Sequence, residues 1–93
     1  MALLNLNERA ALKRELSGWT IGEDRIERSF EFEDFGRAFG FMASVALAAE
    51  KLGHHPDWSN SYNRVDISLT THDAGGITGK DAALARRISQ LAG

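Results

Sequence analysis

Residues 33–52 read EDFGRAFGFMASVALAAEKL, and Gly53 follows them. At 100° per residue, Phe35, Phe39, Met42, Ala46 and Ala49 lie within about 40° of one line. A second row, Phe41, Val45, Ala48 and Leu52, runs beside it. The pattern predicts a helix from Glu33 to Leu52, with Gly53 as its left-handed stop. A helix that packs on one sheet needs one apolar row, not two. The second row therefore predicts a subunit interface on this helix, a homodimer or homotetramer, with Phe41, Val45 and Ala48 as candidate contacts. Gly36 and Gly40, four residues apart, fit close approach of another helix.

The segments on either side of this helix read as hairpins. Upstream, Trp19-Thr20-Ile21 is a short strand and Gly22-Glu23-Asp24 a turn. Ile26, Phe30 and Phe32 alternate with Glu27, Ser29 and Glu31, so Arg25 to Phe32 is a half-buried strand whose apolar face Arg28 interrupts. Downstream, Pro56 restarts the chain, and Asp57 to Tyr62 is a short strand. Val65, Ile67, Leu69 and Thr71 alternate with Asp66, Ser68 and Thr70 in a clearer one, and Asp73 to Gly76 is a loop. A helix precedes the first hairpin, capped by Asn7 and carrying Ala11, Leu12 and Leu16, and Ser17-Gly18 ends it. Another helix follows the second hairpin. Its start, Thr78-Gly79-Lys80-Asp81, resembles a capping box with Asp in place of the usual Glu, and Ala82, Leu84, Ala85, Ile88, Leu91 and Ala92 form its apolar side. The order αββαββα predicts an α+β fold: a four-stranded antiparallel sheet with three helices on one face, as a single domain over residues 1–93.

Composition narrows the function classes. Of the 93 residues, 43% are apolar and 26% charged, the formal net charge is −2, and there are no cysteines. Disulfides, cysteine-ligated zinc and cysteine nucleophiles are thereby excluded. No clustered excess of Lys and Arg marks a nucleic-acid or membrane surface. MALLNLNERAALKREL lacks a basic segment before an apolar one, and no apolar run approaches the length of a membrane span. The expected compartment is the cytoplasm.

The three histidines, His54, His55 and His72, fall within 19 residues. His54 and His55 follow the end of the long helix, and Pro56 restricts the backbone of His55. His72 ends the longer strand of the second hairpin, on the face opposite Val65, Ile67 and Leu69. A helix end and a strand end can meet at one rim of a sheet, beside Trp58 and Tyr62. Three readings compete. The imidazoles can be ordinary turn residues. They can bind zinc, although the adjacent pair and the lack of an HExxH helix offer no familiar ligand spacing. They can serve as general acids and bases, since imidazole gains and loses protons near neutral pH without a cofactor. Trp58 and Tyr62 are either core residues or a wall for a flat heterocycle. No P-loop, GxSxG elbow or SxxK pair accompanies the Gly, Ser and Thr residues of this region.

The run Glu50-Lys51-Leu52-Gly53-His54-His55-Pro56-Asp57-Trp58, then Tyr62-Asn63, Val65 to His72, and Asp81, follows E-x3-H-H-P-x5-Y-x9-H-x8-D. With these residues the chain resembles the pterin-4a-carbinolamine dehydratase family. Trp19 and Ala38-Phe39-Gly40-Phe41-Met42 extend the likeness over nearly the whole chain. The resemblance implies a four-stranded antiparallel sheet with three helices. It also implies a hydro-lyase that removes water from 4a-hydroxytetrahydropterin to give quinonoid dihydropterin, in tetrahydrobiopterin recycling. It further implies that His54 and His72 exchange protons around the departing hydroxyl while His55 mainly binds the ring. His54, His55, Pro56, Trp58, Thr71, His72, Asp73 and Ala74 would line the substrate site. Some family members carry Asp where this chain has Gly53, so Asp57 or Asp81 is expected to support an imidazole instead. Asp81 has an alternative role as a helix-capping carboxylate. No metal and no cofactor are expected. The implied partner is a small reduced pterin, with neither nucleic acid nor membrane. The competing function is that of an interaction protein, a dimerisation cofactor acting through the long helix.

Overall fold

The computed structural model describes residues 2–93. Helix α1 spans Leu6–Glu15, strand β1 Thr20–Ile21, β2 Ile26–Glu31, helix α2 Phe35–Leu52, β3 Asp57–Ser61, β4 Arg64–Leu69 and helix α3 Gly79–Ala92. A single 3₁₀ turn, His72–Ala74, lies between β4 and α3. The strands form one antiparallel sheet in the order β1-β2-β4-β3. The αββαββα order and the α+β class read from the sequence are those observed.

The β2–β4 ladder sets the register that separates inside from outside. It aligns Ile26 with Leu69, Arg28 with Ile67 and Phe30 with Val65, which places these residues on the inner face. Ile26, Phe30, Val65, Ile67 and Leu69 join Leu12 and Leu16 of α1, Ala38, Phe41, Val45 and Ala49 of α2, and Ala82, Leu84, Ala85 and Ile88 of α3 in one buried cluster. All three helices therefore cover the same face. The alternate positions Glu27, Ser29, Asp66, Ser68, Asp57 and Ser59 remain exposed or half-buried on the other. Arg28 interrupts the apolar stripe without breaking the strand, because its guanidinium lies 4.5 Å from the centre of the Phe30 ring. It lies against Gly18, where a Cβ would stand 2.7 Å from the guanidinium carbon.

Three expectations need correction. Helix α1 is capped by Asn5, not Asn7. Asn5 Oδ1 accepts from the Glu8 N–H while Glu8 Oε1 accepts from the Asn5 N–H, both at 2.8 Å. That reciprocal box requires Glu three residues after the cap, a condition Asn5 meets and Asn7 does not. Second, Tyr62 lies at the far end of β3 from the histidines, in the β3–β4 turn with φ +51°, and is exposed. Third, the row of α2 assigned to a subunit contact is largely its core row. Phe41 and Val45 are buried beside Ala38 and Ala49, and Ala48 is half-buried. The outward face carries Phe35 and Phe39 of the other row, and Leu47 beside them, which are 49%, 59% and 74% exposed, while Ala49 at the end of that row is buried. Both rows are apolar, so periodicity shows that two faces exist without showing which meets the sheet. Among the described residues, no helix is long and apolar enough to cross a membrane.

Candidate active site

Two chain reversals bring the histidines together. At the end of α2, Gly53 adopts φ +66°, a left-handed conformation that glycine enters without a Cβ clash. The Gly53 N–H then donates to the Glu50 carbonyl and the His54 N–H to the Ala49 carbonyl, closing the last turn. This closure fixes where His54 leaves the helix. Past β4, Thr71 and Gly76 bond each other's backbones in both directions, and Gly75 turns the chain at φ +77°. The loop so closed presents His72 at the rim of the sheet, facing the end of α2.

Between these reversals lies a cavity of about 340 Å³, lined by Gly53, His54, His55, Pro56, Asp57, Thr70, Thr71, His72, Asp73 and Lys80. Its size suits a small bicyclic ligand. Each imidazole has its own carboxylate. His54 Nε2 is 2.5 Å from Asp81 Oδ1, His55 Nε2 is 2.7 Å from Glu50 Oε1, and His72 Nε2 is 3.5 Å from Asp57 Oδ2. The three pairs differ in burial. The His54 side chain is 11% exposed and Asp81 is fully buried, whereas the other two pairs stand largely in solvent. A carboxylate that accepts from one ring nitrogen leaves the other free, and no described residue bonds Nδ1 of any of the three. The nitrogens thus point to separate partners, and no group of three His, Asp or Glu side chains among the described residues converges as metal ligands.

Asp81 reconciles the two roles read from the sequence. Its Oδ2 accepts from the Thr78 N–H at 2.9 Å, closing the capping box of α3, while Oδ1 meets His54. The Thr71 hydroxyl also donates to Oδ2, at 2.8 Å. Six of the expected site residues, His54, His55, Pro56, Thr71, His72 and Asp73, line the cavity, as does Asp57. Trp58 and Ala74 do not. Register pairs Trp58 with Ile67 of the inner face, and Trp58 packs on the core and lines a separate cavity of about 550 Å³ along the sheet. The alternation that puts Asp57 at the site turns its neighbour away. Glu50 and Lys80 went unassigned in the sequence. Glu50 opens the E-x3-H-H-P run and reaches His55 from five residues earlier, across the helix end.

Comparison with known proteins adds the decisive observation. The family model described as pterin 4 alpha carbinolamine dehydratase matches residues 2–91. The chain belongs to this family. A relative from Rhodospirillum rubrum, provisionally named a pterin-4-alpha-carbinolamine dehydratase, is 58% identical over 88 residues, covering 89% of this chain and 92% of its own. Another from Solibacter usitatus with the same provisional name is 51% identical over 89 residues, covering 96% and 94%. A crystal structure of a transcriptional coactivator/pterin dehydratase from Brucella melitensis superimposes with a TM-score of 0.92 at 49% identity, over 98% of this chain and 99% of that one. A pterin dehydratase-like protein identified as a RuBisCO assembly factor in the alpha-carboxysome shares the family fold, with a TM-score of 0.71 at 23% identity over 82% and 90% of the two chains.

Proposed function

We propose that the protein dehydrates 4a-hydroxytetrahydropterin to quinonoid dihydropterin, with the imidazoles as its acids and bases. The observation that carries this reading is the trio of imidazole–carboxylate pairs around one ligand-sized cavity. The reaction breaks the C4a–O bond. One proton must reach the hydroxyl, which leaves as water, and one must leave a ring nitrogen as the new double bond forms. Two nearby groups that exchange protons near neutrality meet that requirement. His54, held by Asp81, and His72, beside Asp57, take these parts, and His55 beside Pro56 contacts the ring. Following ultraviolet absorbance as freshly generated 4a-hydroxytetrahydropterin decays, with and without the protein, tests the reading. Acceleration is expected, and an unchanged decay would remove it.

A second reading has its own observation. The outward face of α2, with Phe35, Phe39 and Leu47, leaves large apolar side chains in solvent. Gly40 on that helix would meet nothing within 4 Å if it carried a Cβ. Such a surface marks an association face. We assign it to further copies of this chain, giving a homodimer or homotetramer. The coactivator and assembly-factor names of the structural neighbours make another protein the alternative occupant.

A further inference from the structure

Behind His54 lies a chain of hydroxyls that helix capping alone does not require. We propose that Thr71 and Thr78 are positioning residues whose hydroxyls form a one-way hydrogen-bond chain that holds the Asp81 carboxylate in place, so that Oδ1 fixes His54 as its Nε2–H tautomer and Nδ1 is the nitrogen offered to substrate. The functional meaning of that nitrogen rests on the dehydratase reading, but the tautomer itself does not.

The direction of the chain follows from counting hydrogens. Asp81 Oδ2 can only accept, so Thr71, 2.8 Å away, commits its single hydroxyl hydrogen to it. Thr71 Oγ1 is also 2.8 Å from Thr78 Oγ1, and with its own hydrogen spent it must accept there. Thr78 therefore donates to Thr71, and its remaining acceptor capacity faces the Lys80 N–H at 3.3 Å. Backbone amides cannot accept, so the sequence Lys80 N–H, Thr78, Thr71, Asp81 cannot run backwards without orphaning a buried polar group. Thr71 and Thr78 are both buried.

Oδ2 of Asp81 is thus occupied by two donors, the Thr71 hydroxyl and the Thr78 N–H. Oδ1 is left as an acceptor with one partner, His54 Nε2. The ring must place its hydrogen on Nε2, and the lone pair then sits on Nδ1. Thr78 would cap α3 without Thr71, which lies seven residues earlier across the loop. The N-terminal arm holds the chain from behind, through the Leu3–Thr78 bridge and the Leu4 N–H to the Ile77 carbonyl at 2.9 Å. The other two imidazoles have no such support. Their carboxylates, Glu50 and Asp57, are exposed.

Long-range ¹H–¹⁵N correlation spectra of the full ¹⁵N-labelled chain, recorded above the imidazole titration, read the tautomer of each histidine. His54 is assigned by its loss in His54→Ala. His54 should appear as a single Nε2–H tautomer while His55 and His72 average between two. Thr71→Val and Thr78→Val keep shape but remove a hydroxyl. Each loosens the Asp81 carboxylate from its place against Nε2, and so should turn His54 into a mixture and lower kcat about 10-fold with KM within about twofold, while Thr78→Ser should restore both properties. An Nδ1–H tautomer at His54 in the unmodified protein would overturn the proposal, even if a valine variant failed to fold. So would a single Nε2–H tautomer persisting in both folded valine variants. If the unmodified protein does not accelerate dehydration, the dehydratase reading is lost, and the spectra still decide the proposal.

Discussion

Asp81 joins the first turn of α3 to His54 through one carboxylate: Oδ2 accepts from the Thr78 N–H and Oδ1 lies 2.5 Å from His54 Nε2. Stability and chemistry therefore share a side chain. Asp81→Asn keeps the shape but puts amide hydrogens where the pocket supplies donors. We expect a loss of about 2 kcal/mol, or roughly 10 °C in Tm for a domain this size. The dehydration rate should also fall at least ~10²-fold, because the imidazole loses its fixed tautomer. Thermal unfolding and the absorbance assay on the same sample separate the effects. A lower Tm with an unchanged rate would leave Asp81 as a cap only.

The two faces of α2 should respond differently to the same charge. Val45 is fully buried, so Val45→Glu places an unpaired carboxylate in the core and should cost about 3 kcal/mol or more. Phe39 is 59% exposed, and Phe39→Glu should preserve helical content while abolishing self-association. Light scattering is expected to give the unmodified protein a mass of at least twice 10.2 kDa and the Phe39 variant the monomer mass. An unmodified protein that is monomeric at micromolar concentration would contradict the interface.

At Gly53 the left-handed backbone sets the exit of His54. Gly53→Ala should destabilise by about 1 kcal/mol and raise KM, because His54 and His55 leave the helix through that residue. Denaturant unfolding gives the first quantity and initial rates the second. Stability equal to that of the unmodified protein would show that the reversal tolerates a side chain.

Acid should weaken one surface tie. Arg86 hydrogen-bonds Glu15 through two nitrogens and holds its carboxyl below the ordinary value of 4.5. A depressed carboxylate contributes stability above its unfolded value and loses it as pH falls through the folded one. Glu15→Gln should therefore be slightly less stable than the unmodified protein near pH ~7, with the gap closing by pH ~2. Denaturant midpoints at both pH values check this, and a gap that widened in acid would have the wrong sign.

Much of this molecule was legible in the sequence because its signals are local. The alternation of Ile26 and Phe30, and of Val65, Ile67 and Leu69, fixed strand faces, and Thr78 with Asp81 announced the start of α3. What stayed hidden depends on tertiary arrangement. Both rows of α2 are apolar, and only packing on β4 and α3 turns Phe41 and Val45 inward. Trp58 and Tyr62 are close to the histidines in sequence, but β-register turns one towards the core and carries the other to the far end of a strand. The spacing from His54 to Asp81 was visible, whereas the hydroxyls of Thr71 and Thr78 behind that pair become partners only when the 72–76 loop closes.

If His54 and His72 together carry the two proton transfers of dehydration, removing both must abolish the acceleration. The measurement is the rate at which freshly generated 4a-hydroxytetrahydropterin loses absorbance in the presence of the His54→Ala/His72→Ala double variant. The unmodified protein should accelerate the decay, and should do so equally after exhaustive dialysis against a chelator. The folded double variant should fall to the rate without protein. A double variant that kept near-normal activity, or a chelated protein whose lost activity returned with zinc, would rule out this mechanism.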